Sequence, residues 1–156
     1  MNSLSQIQKF LSYRRLAMVG VSHNPKDFSR GLFRELRLRG YDVAPVHLSE
    51  IEIDGVACVS QVQQIVPRVE AALVMTASAA TAAIVRDCHA AGIHDVWLYR
   101  ATGAGSVSTE ALAFCQANGI SVVAGECPFM FLPETGWIHR FHGACRKLTG
   151  SYPMTA

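Results

Sequence analysis

The most informative stretch of the sequence is Leu16-Ala17-Met18-Val19-Gly20-Val21-Ser22-His23-Asn24-Pro25. Its first four residues are all apolar, which is typical of a strand covered on both faces of a sheet. Gly20 then permits a sharp turn, and the polar loop after it leads to a helix with apolar residues at Leu32, Phe33 and Leu36. We therefore predict a strand over 16–20 and a helix over 29–39, the opening unit of a parallel α/β sheet.

The same alternation of short apolar runs and helical stretches continues along the chain. Five sheet strands are predicted, over residues 16–20, 41–46, 71–75, 95–99 and 120–124. Four helices are predicted, over 4–13, 29–39, 79–91 and 108–118, the first of them capped by Ser3. A hairpin around Asp54 and Gly55 is expected within 51–59, and a short helix over 60–65. This order predicts a Rossmann-like α/β fold, a doubly wound sheet of five parallel strands.

A single domain accounts for the length and composition of the chain. It has 156 residues, 50% hydrophobic and 17% charged, so it can bury a sizeable core and is not disordered. We predict one domain over 1–156, with a core over about 12–125 and a C-terminal tail over 126–156. The tail is rich in large apolar side chains and contains a predicted helix over 135–148. We expect it to cover the sheet edge or to form a homodimer with a second copy of the chain.

Charge, hydropathy and cysteine usage exclude several classes of protein. The 14 Lys and Arg residues exceed the 12 Asp and Glu residues by only +2, too little for a typical nucleic-acid binder. The apolar runs are far shorter than the ~20 residues of a membrane span, and no secretory leader is expected. The five cysteines form no C-x-x-C pair, which favours a reducing cytoplasm. The cluster Arg30, Arg34, Arg37 and Arg39 is interpreted as a solvated helix face.

The loop after the first predicted strand is a candidate anion site. In open α/β sheets, ligands bind beyond the carboxyl ends of the strands, and a helix beginning near Ser29 would direct backbone N–H groups at the loop. A diphosphate suits such a position, although any strand-to-helix turn needs a glycine and a capping serine. The loop lacks the three glycines of a nicotinamide fingerprint, and the second strand ends at His47 instead of an acid. His47 would attract a phosphate or be an ordinary surface residue.

Four short motifs follow one another along the predicted sheet. The first two are Val19-Gly20-Val21-Ser22-His23-Asn24-Pro25 with Gly31, and Gly40-Tyr41-Asp42-Val43-Ala44-Pro45-Val46. The last two are Val96-Trp97-Leu98-Tyr99, and Gly119-Ile120-Ser121-Val122-Val123 with Cys127-Pro128. In this order they resemble the small CoA-binding domain proteins, relatives of the N-terminal domain of the succinyl-CoA synthetase alpha subunit. The resemblance covers about residues 12–133 and implies a Rossmann-like domain that binds coenzyme A.

The resemblance also implies which residues contact the ligand. Those expected at the diphosphate are Gly20, Val21, Ser22 and Arg30. Those expected at the adenosine end are Val46 and His47, and those closing the opposite side are Thr76, Ala77 and Ser78. The remaining candidate contacts are Asn24, Pro25, Gly103, Cys127 and Pro128. The thiol of Cys127 is interpreted as buried and inert; if it faces the cleft instead, a mixed disulfide with CoA is the alternative.

The sequence departs from the family pattern at two strand exits. His47-Leu48 stand where the family often has Asn-Pro, and residues 99–105 replace a turn that usually begins with Gln. These differences bear on the adenosine contacts and on the path of the pantetheine arm, and leave the diphosphate loop intact.

No catalytic set emerges from the sequence, because Ser22 has no assured base and the acids near the strand exits are few. His139 and His142 lie three residues apart in the predicted tail helix. We interpret them as part of an exposed polar face, with a polar wall of the cleft or a metal-binding pair as the alternatives, and no metal is expected. We therefore expect a cytoplasmic protein that binds CoA or acyl-CoA without robust catalysis. The alternatives are a nucleotide-dependent enzyme or ligase subunit that needs a partner chain, and an interaction domain with an empty cleft.

Overall fold

Five parallel strands form the central sheet of the protein. The computed structural model describes residues 2–100, 103 and 105–133. The sheet strands are β1 (Arg15–Val19), β2 (Asp42–Val46), β5 (Ala71–Val74), β6 (Asp95–Leu98) and β7 (Ser121–Ala124). A hairpin contains β3 (Glu52–Ile53) and β4 (Val56–Ala57). The helices are α1 (Leu4–Ser12), α2 (Phe28–Leu38), α3 (Ser78–Ala90) and α4 (Thr109–Ala117), with short 3₁₀ turns at Val62–Gln64 and Pro128–Met130.

The strand order across the sheet is β2-β1-β5-β6-β7, and all neighbouring pairs are parallel. The chain leaves β1 toward one edge of the sheet, returns to β5 on the other side of β1 and continues toward the far edge. The direction therefore reverses between β1 and β5, where Val19 is paired with Val74. This arrangement confirms the predicted Rossmann-like, doubly wound fold. The five predicted sheet strands and the four predicted helices that correspond to α1–α4 differ from the observed ones by at most one residue at either end. The short helix predicted over 60–65 is observed as the 3₁₀ turn Val62–Gln64.

The sheet is covered on both faces, which explains the uninterrupted apolar character of its central strands. Leu16 and Met18 of β1 point into one core, where they pack with Phe10, Phe33 and other side chains of α1 and α2. The alternate residues of β1 point into a second core, which α3 and α4 cover. Because successive side chains of a strand alternate between faces, both sets must be apolar.

The segment after β7 packs back on the face covered by α1 and α2. Phe131 contacts the indole of Trp97 edge-on, with ring centroids 6.1 Å apart, and Leu132 is buried in the same core. Trp97 also donates its indole N–H to the carbonyl oxygen of Glu126 at 2.9 Å. The predicted helix over 135–148, with His139 and His142, lies outside the described residues. In the described part of the chain, no helix has the length and apolar character needed to cross a membrane.

Asp95 joins the start of β6 to the first helix. Its carboxylate is buried and accepts hydrogen bonds from Lys9 Nζ and from the hydroxyl of Tyr13, both at 2.8 Å. The hydrogen bond to Asp95 raises the pKa of Lys9 above its ordinary 10.5. Burial, followed by the interaction with Asp95, raises the pKa of Tyr13 above its ordinary 10.0. Both groups therefore hold their protons more tightly in the folded protein than in the unfolded chain.

We expect Asp95→Asn to lower the free energy of unfolding by about 1–2 kcal/mol near neutral pH, because it weakens two hydrogen bonds to a buried carboxylate. The stabilisation from Lys9 and Tyr13 is complete below pH 10.0 and declines as the pH rises through their raised pKa values. The difference between the two proteins should therefore narrow above pH 10. Urea unfolding from pH 7 to 11 measures this difference in the free energy of unfolding between the wild type and Asp95→Asn. A difference that stays constant would contradict the stabilising role assigned to the hydrogen bonds of Lys9 and Tyr13 with Asp95.

Candidate functional site

The loops that follow β1 and β5 meet at the carboxyl edge of the sheet. Gly20 has a φ of +89°, and its N–H donates to the carbonyl oxygen of Val46 at 3.2 Å. A Cβ atom at this position would lie 2.7 Å from Cγ2 of Thr76 and 3.1 Å from the backbone nitrogen of the same residue. Glycine is thus required here both by the backbone conformation and by the close approach of the two loops. The crevice of an open α/β sheet is expected at this point.

On the side of α3, the crevice opens into a cleft of about 630 Å³. Its walls are the ends of β1 and β2, the first three turns of α3 as far as Arg86 and Asp87, and Gln61 and Gln63 at the 3₁₀ turn. Most of its surface is apolar. Four of the predicted ligand contacts line this cleft: Gly20, Val46, His47 and Thr76. Leu48 and Ile84 line it as well, and Leu48 is 88% exposed.

On the side of α2, a smaller cavity of about 360 Å³ also borders Gly20. Ser22, Asp27 and Met75 line it together with two aromatic residues, Phe28 and Tyr99. These two rings are stacked with centroids 5.0 Å apart, and Phe129 packs edge-on against Phe28. Burial raises the pKa of Tyr99 to about 12, so its hydroxyl is neutral at physiological pH.

The N-terminus of α2, which the sequence analysis assigned to an anion, is closed by a side chain of its own chain. The carboxylate of Asp27 accepts hydrogen bonds from the backbone N–H and the hydroxyl of Ser29. The same hydroxyl accepts the N–H of Ser22 at 2.8 Å. These donors are therefore satisfied within the loop, and the negative charge of Asp27 already occupies the positive end of the helix dipole.

The N-terminus of α3 differs, because its capping position is Ala77 and no side chain of the described residues caps it. Thr76 precedes it, and its Oγ1 is buried without a hydrogen-bond partner among the described residues. The carbonyl of Thr76 is held by the hydroxyl of Ser106 at 2.7 Å, which fixes this residue in place. Of the three residues predicted here, Thr76 lines the larger cleft, whereas Ala77 and Ser78 line neither cavity. The uncapped N-terminus of α3 and the Thr76 hydroxyl thus offer unused hydrogen-bonding capacity beside the cleft.

His47 is held in one tautomer by the turn that follows β2. Its Nδ1 lies 3.2 Å from the backbone nitrogen of Ser49 and 3.1 Å from that of Glu50, and both donate to it. Nδ1 is therefore an acceptor, and in the neutral ring the proton is on Nε2. Because His47 lines the cleft, this Nε2–H is a donor suited to a phosphate or a ribose hydroxyl.

The other predicted residues of the first loop lie in it without lining the larger cleft. Val21 is fully buried in the core, so only its backbone is free to face a ligand. Asn24 and Pro25 are exposed, and the side chain of Asn24 accepts the N–H of Lys26 at 3.0 Å. Arg30 points away from the cleft, toward the carbonyl oxygens of the loop and toward Asp54.

Cys127, Pro128 and Gly103 line neither cavity. Burial raises the pKa of the Cys127 thiol, and Pro128 is buried at the start of a 3₁₀ turn. Gly103 is exposed in the loop after β6. The described residues contain no group of three or more His, Cys, Asp or Glu side chains that could hold a metal ion.

Sequence reasoning missed part of the cleft wall. The helical periodicity places Ile84 in the core stripe of its helix, yet this residue is only partly buried and faces the cleft. The available signal was the small side chains of the first turns of α3, at Ala79, Ala80 and Ala83, which leave room for a ligand beside Ile84. Phe28 and Tyr99 give no signal in the sequence, because their stacking joins two distant parts of the chain.

The fold defines a Rossmann-like domain with a crevice where the strand order reverses. The chain belongs to the CoA binding domain family, whose model matches residues 14–133. A comparison with curated proteins finds no match.

Solved structures show the same fold. A hypothetical protein from Pyrococcus horikoshii OT3 has a TM-score of 0.74 at 24% identity, over 82% of this chain and 92% of that chain. A conserved hypothetical protein from Pyrococcus furiosus has a TM-score of 0.66 at 24% identity, over 74% and 96%. The apo form of the dinucleotide forming acetyl-coenzyme A synthetase 1 from Ca. Korarchaeum cryptofilum has a TM-score of 0.62 at 21% identity. That match covers 72% of this chain but only 26% of the synthetase.

We expect Gly20→Ala to destabilise the protein by at least about 2 kcal/mol, the sum of left-handed strain and steric overlap with Thr76. Gly40→Ala is the matched control, since Gly40 has a similar φ of +83° and a Cβ added there would have nothing within 4 Å. It should cost only the strain, about 1–2 kcal/mol. Denaturant unfolding of both variants measures the difference, and equal losses would show that the β1 and β5 loops have room between them.

Proposed function

We propose that the protein binds coenzyme A or an acyl-CoA in this crevice, without robust catalysis of its own. The supporting observation is that, in a chain of the CoA binding domain family, Gly20 brings the β1 loop against a free helix N-terminus and a buried, unpartnered hydroxyl of Thr76. Such groups suit a phosphate, because backbone N–H groups and a helix dipole stabilise negative charge.

The diphosphate of CoA would lie between Gly20 and the first turn of α3. Glycine lets the phosphate oxygens approach the backbone closely. The methyl group of Thr76 faces Gly20 and its hydroxyl is buried, so the Thr76 side chain would rotate about χ1 to donate its hydroxyl to the phosphate. The N-terminus of α2 contributes less, because Asp27 already caps it and repels further negative charge.

The adenosine end would occupy the larger cleft. Val46, Leu48 and Ile84 provide apolar contact for a purine, and the Nε2–H of His47 would donate to a ribose phosphate or hydroxyl. An NAD site in this fold uses an acidic residue at the end of the second strand to accept the ribose hydroxyls. His47 stands at that position here, which favours CoA, whose ribose carries a phosphate.

The pantetheine arm would leave toward the smaller cavity. This arm is uncharged, so the carboxylate of Asp27 in the cavity wall does not oppose it as it would oppose a phosphate. The rings of Phe28 and Tyr99 offer apolar surface for its methylene groups and for a short acyl chain.

In the wall of the smaller cavity, the hydroxyl of Ser29 donates to the carboxylate of Asp27. Ser29 is buried and its oxygen also accepts the N–H of Ser22, so we interpret this pair as a helix cap and not as a nucleophile with its base. The thiol of Cys127 is disfavoured as a nucleophile by its raised pKa.

A second candidate function is a subunit that presents CoA to a partner chain, and the likeness to a quarter of the acetyl-coenzyme A synthetase favours it. The free thiols of Cys58, Cys88, Cys115 and Cys127 fit a reducing cytoplasm. We also propose that the tail over 126–156 forms a homodimer with a second copy of the chain.

Isothermal titration with CoA and with NAD at one salt concentration tests the proposed ligand. We expect CoA to bind at least about tenfold more tightly, a difference of ~1.4 kcal/mol. Mass spectrometry of the freshly purified protein should also detect CoA or an acyl-CoA. Tighter binding of NAD, or no binding of CoA, would overturn the proposal.

The hydroxyl of Thr76 provides a sharper test. We expect Thr76→Val to leave the stability of the free protein unchanged or slightly higher, because it removes a buried hydroxyl that lacks a partner. The same change should weaken CoA binding about tenfold, since a donor to the phosphate is lost.

Thr81→Val is the matched control, because Thr81 is buried in α3, the helix that follows Thr76, and donates its hydroxyl to the carbonyl oxygen of Ala77 at 3.4 Å. It should leave CoA affinity within about twofold. Thermal unfolding and isothermal titration of both variants separate the two roles. A Thr76 variant that is destabilised and binds CoA normally would mean that this hydroxyl serves the fold.

A further inference from the structure

The turn of the β3–β4 hairpin carries a carboxylate that is bound by two arginines of α2. Asp54 has a φ of +48°, and Gly55 next to it has a φ of +76°, a pair typical of a tight two-residue hairpin turn. Arg34 donates to both carboxylate oxygens of Asp54, at 2.8 and 3.1 Å. Arg30 donates to the same carboxylate and forms an ion pair with it. The polar attachment of the hairpin to α2 is thus concentrated at Asp54, beside the apolar packing of Ile53 in the core that α2 covers.

The same two arginines also hold the loop that follows Gly20. Arg30 donates to the carbonyl oxygens of Ser22 and His23, each at 3.2 Å. Arg34 donates to the carbonyl oxygen of Pro25 at 3.0 Å. Each guanidinium therefore connects the carboxylate of Asp54 to the backbone of residues 22–25, which we call the ligand loop.

The charge of Asp54 is what allows the arginines to converge. The hydrogen bonds from Arg34 and Arg30 hold the pKa of Asp54 at about 2, so it is ionised under all ordinary conditions. Arg37, one turn further along α2, donates to the carbonyl oxygen of Asp54 at 3.3 Å. Without the carboxylate, these like charges would repel one another, and the guanidinium groups would leave their positions at the loop.

The hairpin is also joined to the opposite wall of the cleft. The N–H of His47 donates to the carbonyl oxygen of Val59 at 2.9 Å, and the N–H of Cys58 donates to that of Ile51 at 2.8 Å. The two ends of the hairpin thus support the turn that fixes the His47 ring. Asp54 itself lines neither cavity, so its effect on a ligand is indirect, through the ligand loop or through the turn that holds His47.

We propose that Asp54 is a positioning residue that, through Arg30 and Arg34, orders the ligand loop in the geometry required to bind CoA. Its role for CoA rests on the proposed function; its role in ordering the loop does not. The expected consequence is that removal of the Asp54 charge loosens residues 22–25 in the free protein and raises the dissociation constant of CoA.

Asp54→Asn is the informative variant. Asparagine adopts positive φ at least as readily as aspartate, so the hairpin turn is retained while the charge is lost. Glu35→Gln is the matched control, since Glu35 pairs with Arg39 on the same helix at 2.7 Å and has no hydrogen bond to the ligand loop among the described residues. Both variants change the net charge equally, and removal of a negative charge alone would strengthen the binding of an anionic ligand in each, opposite to the effect expected of Asp54→Asn.

Isothermal titration with CoA gives the first measurement. We expect Asp54→Asn to raise the dissociation constant at least about fivefold and Glu35→Gln less than about twofold. In an Arg30→Met background, Asp54→Asn should have a smaller effect than in the wild type, because part of the path is already absent. Equal affinities of the wild type and Asp54→Asn, or full additivity with Arg30→Met, would overturn the proposal.

Hydrogen exchange of the free protein gives the second measurement, which does not depend on CoA. The amides of Ser22, Asn24 and Lys26 are bonded within the loop and should exchange faster in Asp54→Asn than in the wild type or Glu35→Gln. Unchanged exchange would overturn the proposal even if CoA binds. If the wild type fails to bind CoA, the proposed function is wrong, while faster exchange confined to this loop still supports the ordering role of Asp54.

Discussion

The close approach of Gly20 to Thr76 determines how the loops at the carboxyl edge of the sheet are arranged. β1 and β5 are paired in register up to Val19 and Val74, and the N–H of Met75 still donates to the carbonyl oxygen of Val19 at 2.8 Å. The two loops therefore leave the sheet side by side. Because the first residue beyond β1 has no side chain, the crevice continues on both sides of it, and both cavities border Gly20.

The two helices that begin at this crevice differ in how their N-termini are satisfied. Asp27 caps α2 and places a negative charge at one side, whereas Ala77 leaves α3 without a side-chain cap among the described residues. This difference would orient a ligand that has one charged and one uncharged end. Its phosphate would lie at the N-terminus of α3, because the helix dipole attracts negative charge there and Asp27 repels it at α2. The orientation that we propose for CoA follows from these two caps.

The fold was predictable from the sequence because its strands are covered on both faces. In β1, Leu16 and Met18 belong to one core and Ala17 and Val19 to the other, so the apolar run itself indicated a buried parallel strand. The glycines after the helices and the turn at Asp54 and Gly55 marked the boundaries with equal clarity, because only a few residue types adopt positive φ.

The site was less predictable, because its chemistry depends on pairs that are distant in the sequence. The arginines of α2 suggested a solvated face, but Asp54, 20 residues beyond Arg34 and 24 beyond Arg30, neutralises two of them. Similarly, Ser29 suggested an open helix N-terminus, and only the folded loop brings the carboxylate of Asp27 onto its N–H and hydroxyl. A single sequence contains no signal for such pairings, since many acidic residues are compatible with the same pattern.

The pairing of these arginines also limits how the protein can recognise an anion. The chain has a net charge of +2, and Arg30, Arg34 and Arg39 are each paired with a carboxylate. The guanidinium groups of Arg30 and Arg34 are therefore not free to attract a phosphate, and Arg37 lines neither cavity. Arg86 lines the larger cleft but is paired with Glu110. In the proposed site, recognition of a phosphate thus relies mainly on backbone N–H groups, a hydroxyl and the dipole of α3. Such neutral donors bind well only when they are correctly oriented, because each contributes little by charge alone. The order of the loops at Gly20 thus matters more for affinity than the amount of positive charge nearby.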